Sequence, residues 1–158
     1  MNINIIVAMT KDRVIGMKGK IPWNIPEDMK LFREHTTDNT VIMGKNTYFS
    51  IPNKFRPLPN RNNIVVSTTM SKTKGIDVCT SLEEAIEKAK TYKKDAFIIG
   101  GAQLYNATLP IATKMYISHI KEYYSGDTYF PQFDYNNWII ERRDQYVDFV
   151  LAVYRRKK

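Results

Sequence analysis

At 158 residues, 43% apolar and 12% aromatic, the chain has the length of one domain and enough apolar material for a core, which excludes a disordered or fibrous protein. No apolar run approaches the roughly 18 residues that span a bilayer, and Met1-Asn2-Ile3-Asn4 lacks the basic head and apolar stretch of a signal peptide, so the expectation is a cytoplasmic, membrane-free protein. The net charge of +8 predicts attraction to polyanions, yet outside Arg155-Arg156-Lys157-Lys158 the cations alternate with acids as on a solvated face, so no nucleic-acid partner is expected; one cysteine, Cys79, excludes an internal disulfide, and two distant histidines, His35 and His119, point away from zinc.

Residues 3–8 are almost wholly apolar and predict a central strand, followed by a long loop through Gly16 and Gly19. Pro26 opens a helix, because proline suits the first helical turn. Its inward stripe, counted at helical spacing from Ile25, is Ile25, Asp28, Met29 and Phe32, so a carboxylate shares a face with apolar side chains. Two readings follow. An acid in the first turn favours the helix dipole, and a desolvated acid favours a cationic or amidine-like ring. Residues 40–43 predict a strand ending at Gly44, with a brief helix from Lys45-Asn46-Thr47; 52–59 form a proline-punctuated loop and 63–67 another buried strand. Ser81 and Glu84 have capping-box spacing and open a helix through Ala85, Ile86 and Ala89. Residues 96–99 form a strand, Gly100-Gly101 a turn, 102–107 a short helix and 115–120 a further strand. Residues 138–141 and 147–154 predict an antiparallel pair, with Val147, Phe149, Leu151 and Val153 on one face. The order predicts one α/β domain over 1–158, with a mainly parallel central β-sheet, an antiparallel C-terminal edge and helices on both faces.

Ligands of open α/β sheets collect beyond the carboxyl ends of strands, where helix starts offer free N–H groups. Three such ends carry suitable chemistry: Lys45, Asn46 and Thr47 after Gly44; Ser67, Thr68 and Thr69 after Val66; and Gly100-Gly101, where a backbone can approach a pyrophosphate. Taken singly these are a cap or a tight turn. The glycine run also fails the G-x-G-x-x-G fingerprint, with Ala102 and Leu104 at its third and fifth positions, which argues against a Rossmann site.

Taken in order, Ile6-Val7-Ala8, Asp12-Arg13-Val14-Ile15-Gly16, Pro22-Trp23-Asn24-Ile25-Pro26-Glu27-Asp28, Val41-Ile42-Met43-Gly44, Arg56-Pro57-Leu58-Pro59-Asn60-Arg61, Ile99-Gly100-Gly101 to Tyr105 and Gly126-Asp127-Thr128 resemble the dihydrofolate reductase family, over about residues 3–133. The resemblance implies hydride transfer from NADPH to 7,8-dihydrofolate to give tetrahydrofolate, in a monomer that also binds antifolates of the diaminopyrimidine type. It favours the second reading of Asp28, which would hold the pterin N3 and 2-amino group and support protonation at N5 through water, with Trp23 holding that water and Ser118 bracing the carboxylate. It also implies a folate lining of Ile6, Val7, Ala8, Met29, Phe32, Ile51, Leu58 and Ile99, with Arg61 clamping the α-carboxylate of the glutamate tail and Arg56 a looser neighbour. For the cofactor it implies Ala8 and Ile15 at the nicotinamide, and Gly16, Met17, Lys18, Gly19 and Lys20 in a lid clasped by Asp127. Gly44, Lys45, Asn46, Thr47, Ser67 and Thr68 would then hold the adenosine phosphates, and Gly100, Gly101, Ala102, Gln103, Leu104 and Tyr105 the pyrophosphate. Lys45 stands where arginine is common and Gln103 where some members carry a base, which implies a softer NADPH preference; Ser118 lacks the methyl of the usual threonine. Pro52-Asn53-Lys54-Phe55 is longer than in compact bacterial members, and residues 143–146 replace a longer loop. The rivals are a reductase of the same fold acting on another nitrogen heterocycle and a basic nucleic-acid-binding module.

Overall fold

In the computed structural model, which describes every residue from Met1 to Lys158, the strand β1 (Ile3–Thr10) lies inside an eight-stranded sheet. Parallel pairing joins it to β6 (Ala96–Gly100) and β7 (Lys114–Ile120), and extends through β3 (Thr40–Gly44) and β4 (Asn62–Val66) to a short edge strand, β5 (Asp77–Cys79). Beyond β7 the sheet turns antiparallel through β10 (Phe149–Arg156) and β9 (Trp138–Gln145). This is the expected parallel sheet with an antiparallel C-terminal edge.

Alternation along β1 sends its side chains to two layers. Ile5, Val7 and Met9 join the larger core with Leu82, Ala85, Ile86 and Ala89 of α3 (Leu82–Thr91) and Leu104 and Tyr105 of α4 (Ala102–Thr108). Ile6 and Ala8 face the other side. There Tyr48 of α2 (Lys45–Ser50) packs on Val41, Met43, Val65 and Phe97, and Leu31 of α1 (Pro26–Thr36) packs in a third cluster with Ile25, Ile120 and Phe149. Cys79 is a buried free thiol, as its residue type suggested.

Several local expectations change. The long loop after β1 contains a strand, β2 (Val14–Gly16), which pairs with β8 (Thr128–Tyr129), a partner more than a hundred residues away that no local pattern reveals. β5 was not expected either. Val147 is 87% exposed in the turn before β10, and Ala152 and Tyr154 are buried as well as Leu151 and Val153, so β10 is covered on both faces and shows no single apolar stripe. At α3 the Ser81 side chain accepts the Glu84 N–H as expected, but the Glu84 carboxylate turns to the Thr80 N–H and hydroxyl instead of Ser81. The terminal basic cluster is also not a free patch. Arg155 pairs with Glu141 at 2.9 Å, and Arg156 donates to the Leu109 and Ala112 carbonyls and lies 4.4 Å from the Trp138 ring centroid.

Candidate active site

α1 buries only Thr36 along its length, and its expected inward stripe is not closed over: Met29 is 52% exposed, and Asp28 and Phe32 are partly so. An apolar helix face left unpacked beside strand ends is a wall for a ligand. The first turn of α1 meets β7, where the buried Ser118 hydroxyl donates to Asp28 Oδ1 at 2.6 Å. Burial lifts the Asp28 carboxyl above its ordinary pKa, and the Ser118 bond offsets part of that rise. An acid serving the helix start would accept first-turn N–H groups. The Asp28 carboxyl instead accepts the Ser118 hydroxyl from β7, so the geometry favours a desolvated acid facing the sheet over a helix cap.

Ser118 stands opposite Ala8 in the β1–β7 register, so Ile6, Ala8 and Ser118 share the face beneath α1. Ile99, Ile51 and Leu58 are half-buried on that face. Val7 is a correction: strand alternation turns its side chain into the opposite core, where it cannot line a cleft beneath α1. Arg61 is held by the Pro59 carbonyl at 2.9 Å and by the Thr36 hydroxyl at 3.0 Å, and burial together with the Arg33 charge lowers its pKa. Arg56 does not stand free beside it. Its guanidinium donates to the Phe49 and Ile51 carbonyls, both at 3.1 Å, and stacks 5.0 Å from the Phe49 ring, tying the loop to α2.

The carboxyl ends of β3, β4 and β6 converge on polar donors. At the start of α2, Lys45 Nζ donates to Thr69 Oγ1 at 3.1 Å, and Ser67 Oγ accepts the Thr69 and Met70 N–H groups. Gly100, at φ +127°, adopts a backbone that L side chains rarely take, and a Cβ there would meet Thr47 Oγ1 at 3.3 Å and the Tyr105 hydroxyl at 3.6 Å. Gly44 and Gly101 lie against each other across β3 and β6, so three glycines leave backbone bare at one point. Leu104 and Tyr105 are corrections as side-chain contacts: Leu104 is buried in the core, and Tyr105 donates to the Ile6 carbonyl at 2.8 Å, leaving only helix-start N–H groups for an anion.

The segment after β2 is tied down by one loop. Asp127 Oδ2 accepts the Lys18 N–H at 3.0 Å, the Asp127 N–H bonds the Gly16 carbonyl at 3.0 Å, and Met17 pairs with Lys20. The Lys18 N–H and the Thr128 hydroxyl, both donating to the carboxylate, hold the Asp127 pKa below its ordinary value. Trp23 follows, with its ring 5.3 Å from that of Tyr124. Local pattern does not reveal Thr36 or Tyr124, because each acts through a partner distant in sequence, Arg61 and Trp23; Thr69, expected as a hydroxyl donor beyond β4, is the partner of Lys45.

A family model for dihydrofolate reductase matches residues 2–152. The chain belongs to the dihydrofolate reductase family. The dihydrofolate reductase of Buchnera aphidicola subsp. Baizongia pistaciae is 47% identical over 141 residues, 89% of this chain and 84% of that protein. That of Bacillus subtilis is 38% identical over 144 residues, 90% of this chain and 83% of the relative. Among solved structures, dihydrofolate reductase from Enterococcus faecalis complexed with NADP(H) and RAB-propyl superimposes with a TM-score of 0.90 at 32% identity, covering 99% of this reductase and 97% of that chain. No helix of the reductase is long and apolar enough to cross a membrane.

Proposed function

We propose that the cleft between α1 and the β1, β6 and β7 strand ends is the active site for the family's reaction, NADPH-dependent reduction of 7,8-dihydrofolate to tetrahydrofolate. The observation that carries this reading is the desolvated Asp28 carboxyl braced by Ser118 at 2.6 Å. A carboxylate with paired acceptors orients a ring that offers an N–H and an adjacent amino group, and a pKa raised by burial keeps a proton available at higher pH. Ser118 holds the carboxyl in one rotamer. Trp23, packed with Ala8 against the same apolar cluster, would hold through its indole N–H the water that carries a proton toward N5.

Ile6, Ala8, Phe32, Ile51, Leu58 and Ile99, with exposed Met29, supply apolar walls for the pterin and benzoyl rings. Arg61, pre-set by Thr36 and Pro59, clamps the α-carboxylate of the tail, whereas Arg56 serves as a brace behind α2. The bare backbone at Gly44, Gly100 and Gly101 and the Lys45, Asn46, Thr47, Ser67 and Thr68 donors suit a phosphorylated dinucleotide, with the α4 N–H groups of Ala102, Gln103 and Leu104 facing its pyrophosphate. NADPH, when bound, supplies the hydride. Ala8 and Ile15 border its transfer path, and Gly16, Met17, Lys18, Gly19 and Lys20, held by Asp127, exclude water from it.

The same carboxyl and walls suit antifolates of the diaminopyrimidine type, whose protonated ring replaces the substrate's donors. The charged side chains of Glu141, Arg142, Arg143 and Asp144 on the open edge strand β9 favour a monomer, and the location proposed for it is the cytoplasm. The test is direct: the purified chain mixed with NADPH and dihydrofolate loses the absorbance of the reduced nicotinamide. Steady absorbance, together with steeply salt-dependent nucleic-acid binding, would overturn the reading.

A further inference from the structure

We propose that Tyr124 is a positioning residue for Trp23, setting the indole over the substrate cleft. The proposal rests on the reading of Trp23 given above. Trp23 sits in a stretch, Ile21 to Asn24, that neither gives nor accepts a backbone hydrogen bond, so side-chain packing alone holds it. Its aromatic neighbour is Tyr124, with ring centroids 5.3 Å apart and planes tilted by 57°. Tilted aromatic pairs at this separation are favourable beyond their buried area.

Tyr124 is a firm platform because its loop is fastened at both ends. At one end the Lys121 N–H bonds the Asp148 carbonyl at 3.0 Å, and Lys121 Nζ donates to the Tyr146 carbonyl at 2.6 Å. At the other end Gly126 lies so close to β2 that a Cβ would press on Val14 and stand 2.6 Å from the Gly16 carbonyl, while Asp127 bonds Gly16 and Lys18. Between these anchors the Tyr124 hydroxyl donates to Glu122 at 3.1 Å in an exposed contact, so the ring's packing rather than this bond sets its position. One loop thus holds the 16–24 segment twice, through Asp127 at its start and through Tyr124 at its end. The clasp sets where the lid lies; the tyrosine sets where the indole points.

The test is a double-mutant cycle on the single-turnover rate of nicotinamide oxidation, using Tyr124→Leu, Trp23→Leu and the pair, with tryptophan emission of each protein recorded without ligands. Tyr124→Leu is expected to lower the rate about two- to tenfold, with the KM for NADPH unchanged and the Trp23 emission shifted. Tyr124→Phe, which keeps the ring, restores rate and emission. In the Trp23→Leu background, Tyr124→Leu has no further effect. Additive losses with unshifted emission overturn the proposal while leaving Trp23 its role. A Trp23→Leu enzyme with full rate overturns the role of Trp23 itself, and the proposal with it. Should Tyr124→Leu not fold, Tyr124→Val and Tyr124→His carry the same comparison.

Discussion

Burial raises the pKa of Asp28, so folding is proton-linked at this residue. With the folded pKa above the unfolded one, the contribution to stability is complete below the unfolded pKa and is lost as pH rises through the folded value. Once ionised, the carboxylate is therefore a cost to the fold that serves the site. Asp28→Asn keeps an acceptor for Ser118 and removes the charge, and the expected result is a Tm about 2 °C higher at neutral pH, with the gain vanishing in acid. The same variant should lose about 10²-fold or more in turnover, most severely at neutral and higher pH, with NADPH affinity kept. Melting curves across pH and steady-state rates check both halves. A variant less stable than the parent at neutral pH would contradict the desolvation argument, and unchanged turnover would remove Asp28 from the mechanism.

Among the elements, the start of α2 and the loop entering β4 each place one cation with a distinct duty. Lys45 opens α2 as a point charge whose reach is set by Thr69 at 3.1 Å, and Lys45→Gln should weaken NADPH binding while sparing NADH. Titration of both nucleotides decides it: an equal loss for both means that Lys45 does not read the extra phosphate. Arg61 is fixed between the loop carbonyl of Pro59 and Thr36 near the end of α1. Arg61→Ala should raise the KM for dihydrofolate about ten- to hundredfold, the loss of a charged hydrogen bond pair, and leave a substrate trimmed of its glutamate unaffected. Equal effects on the two substrates would show that Arg61 acts through the shape of the α1 end. The elements themselves were legible to different degrees. The central strands β1, β3, β4 and β6 announce themselves as apolar runs because both of their faces are buried. The three-residue strands β2 and β5 do not, since a strand so short owes its conformation to its partner more than to its own residues.

Across the whole molecule, the chain end closes the structure. Arg156 spans from β10 to the end of α4 and packs on Trp138, so Arg156→Ala should cost about 2–3 kcal/mol in urea unfolding, whereas Lys157→Ala, at an exposed position, should cost nothing measurable. Equal stability of the two variants would return the terminal cluster to the status of a surface patch. Composition could not tell a structural arginine from a solvated one, because the difference lies in carbonyls of Leu109 and Ala112 that only folding brings near. Local pattern determined a great deal by itself: one α/β domain, a parallel sheet with an antiparallel edge, a proline-started helix with an acid on its apolar face, and ordered motifs similar to those of a reductase family. Tertiary structure alone decided that Asp28 meets Ser118 ninety positions away, that Val7 turns from the cleft, that Arg56 folds back on α2 and that Tyr124 backs Trp23. Periodicity and capping act over a few residues and leave a trace in neighbouring letters. Desolvation and side-chain contact depend on which distant surfaces the sheet brings together, and that information exists only once the chain has closed on itself.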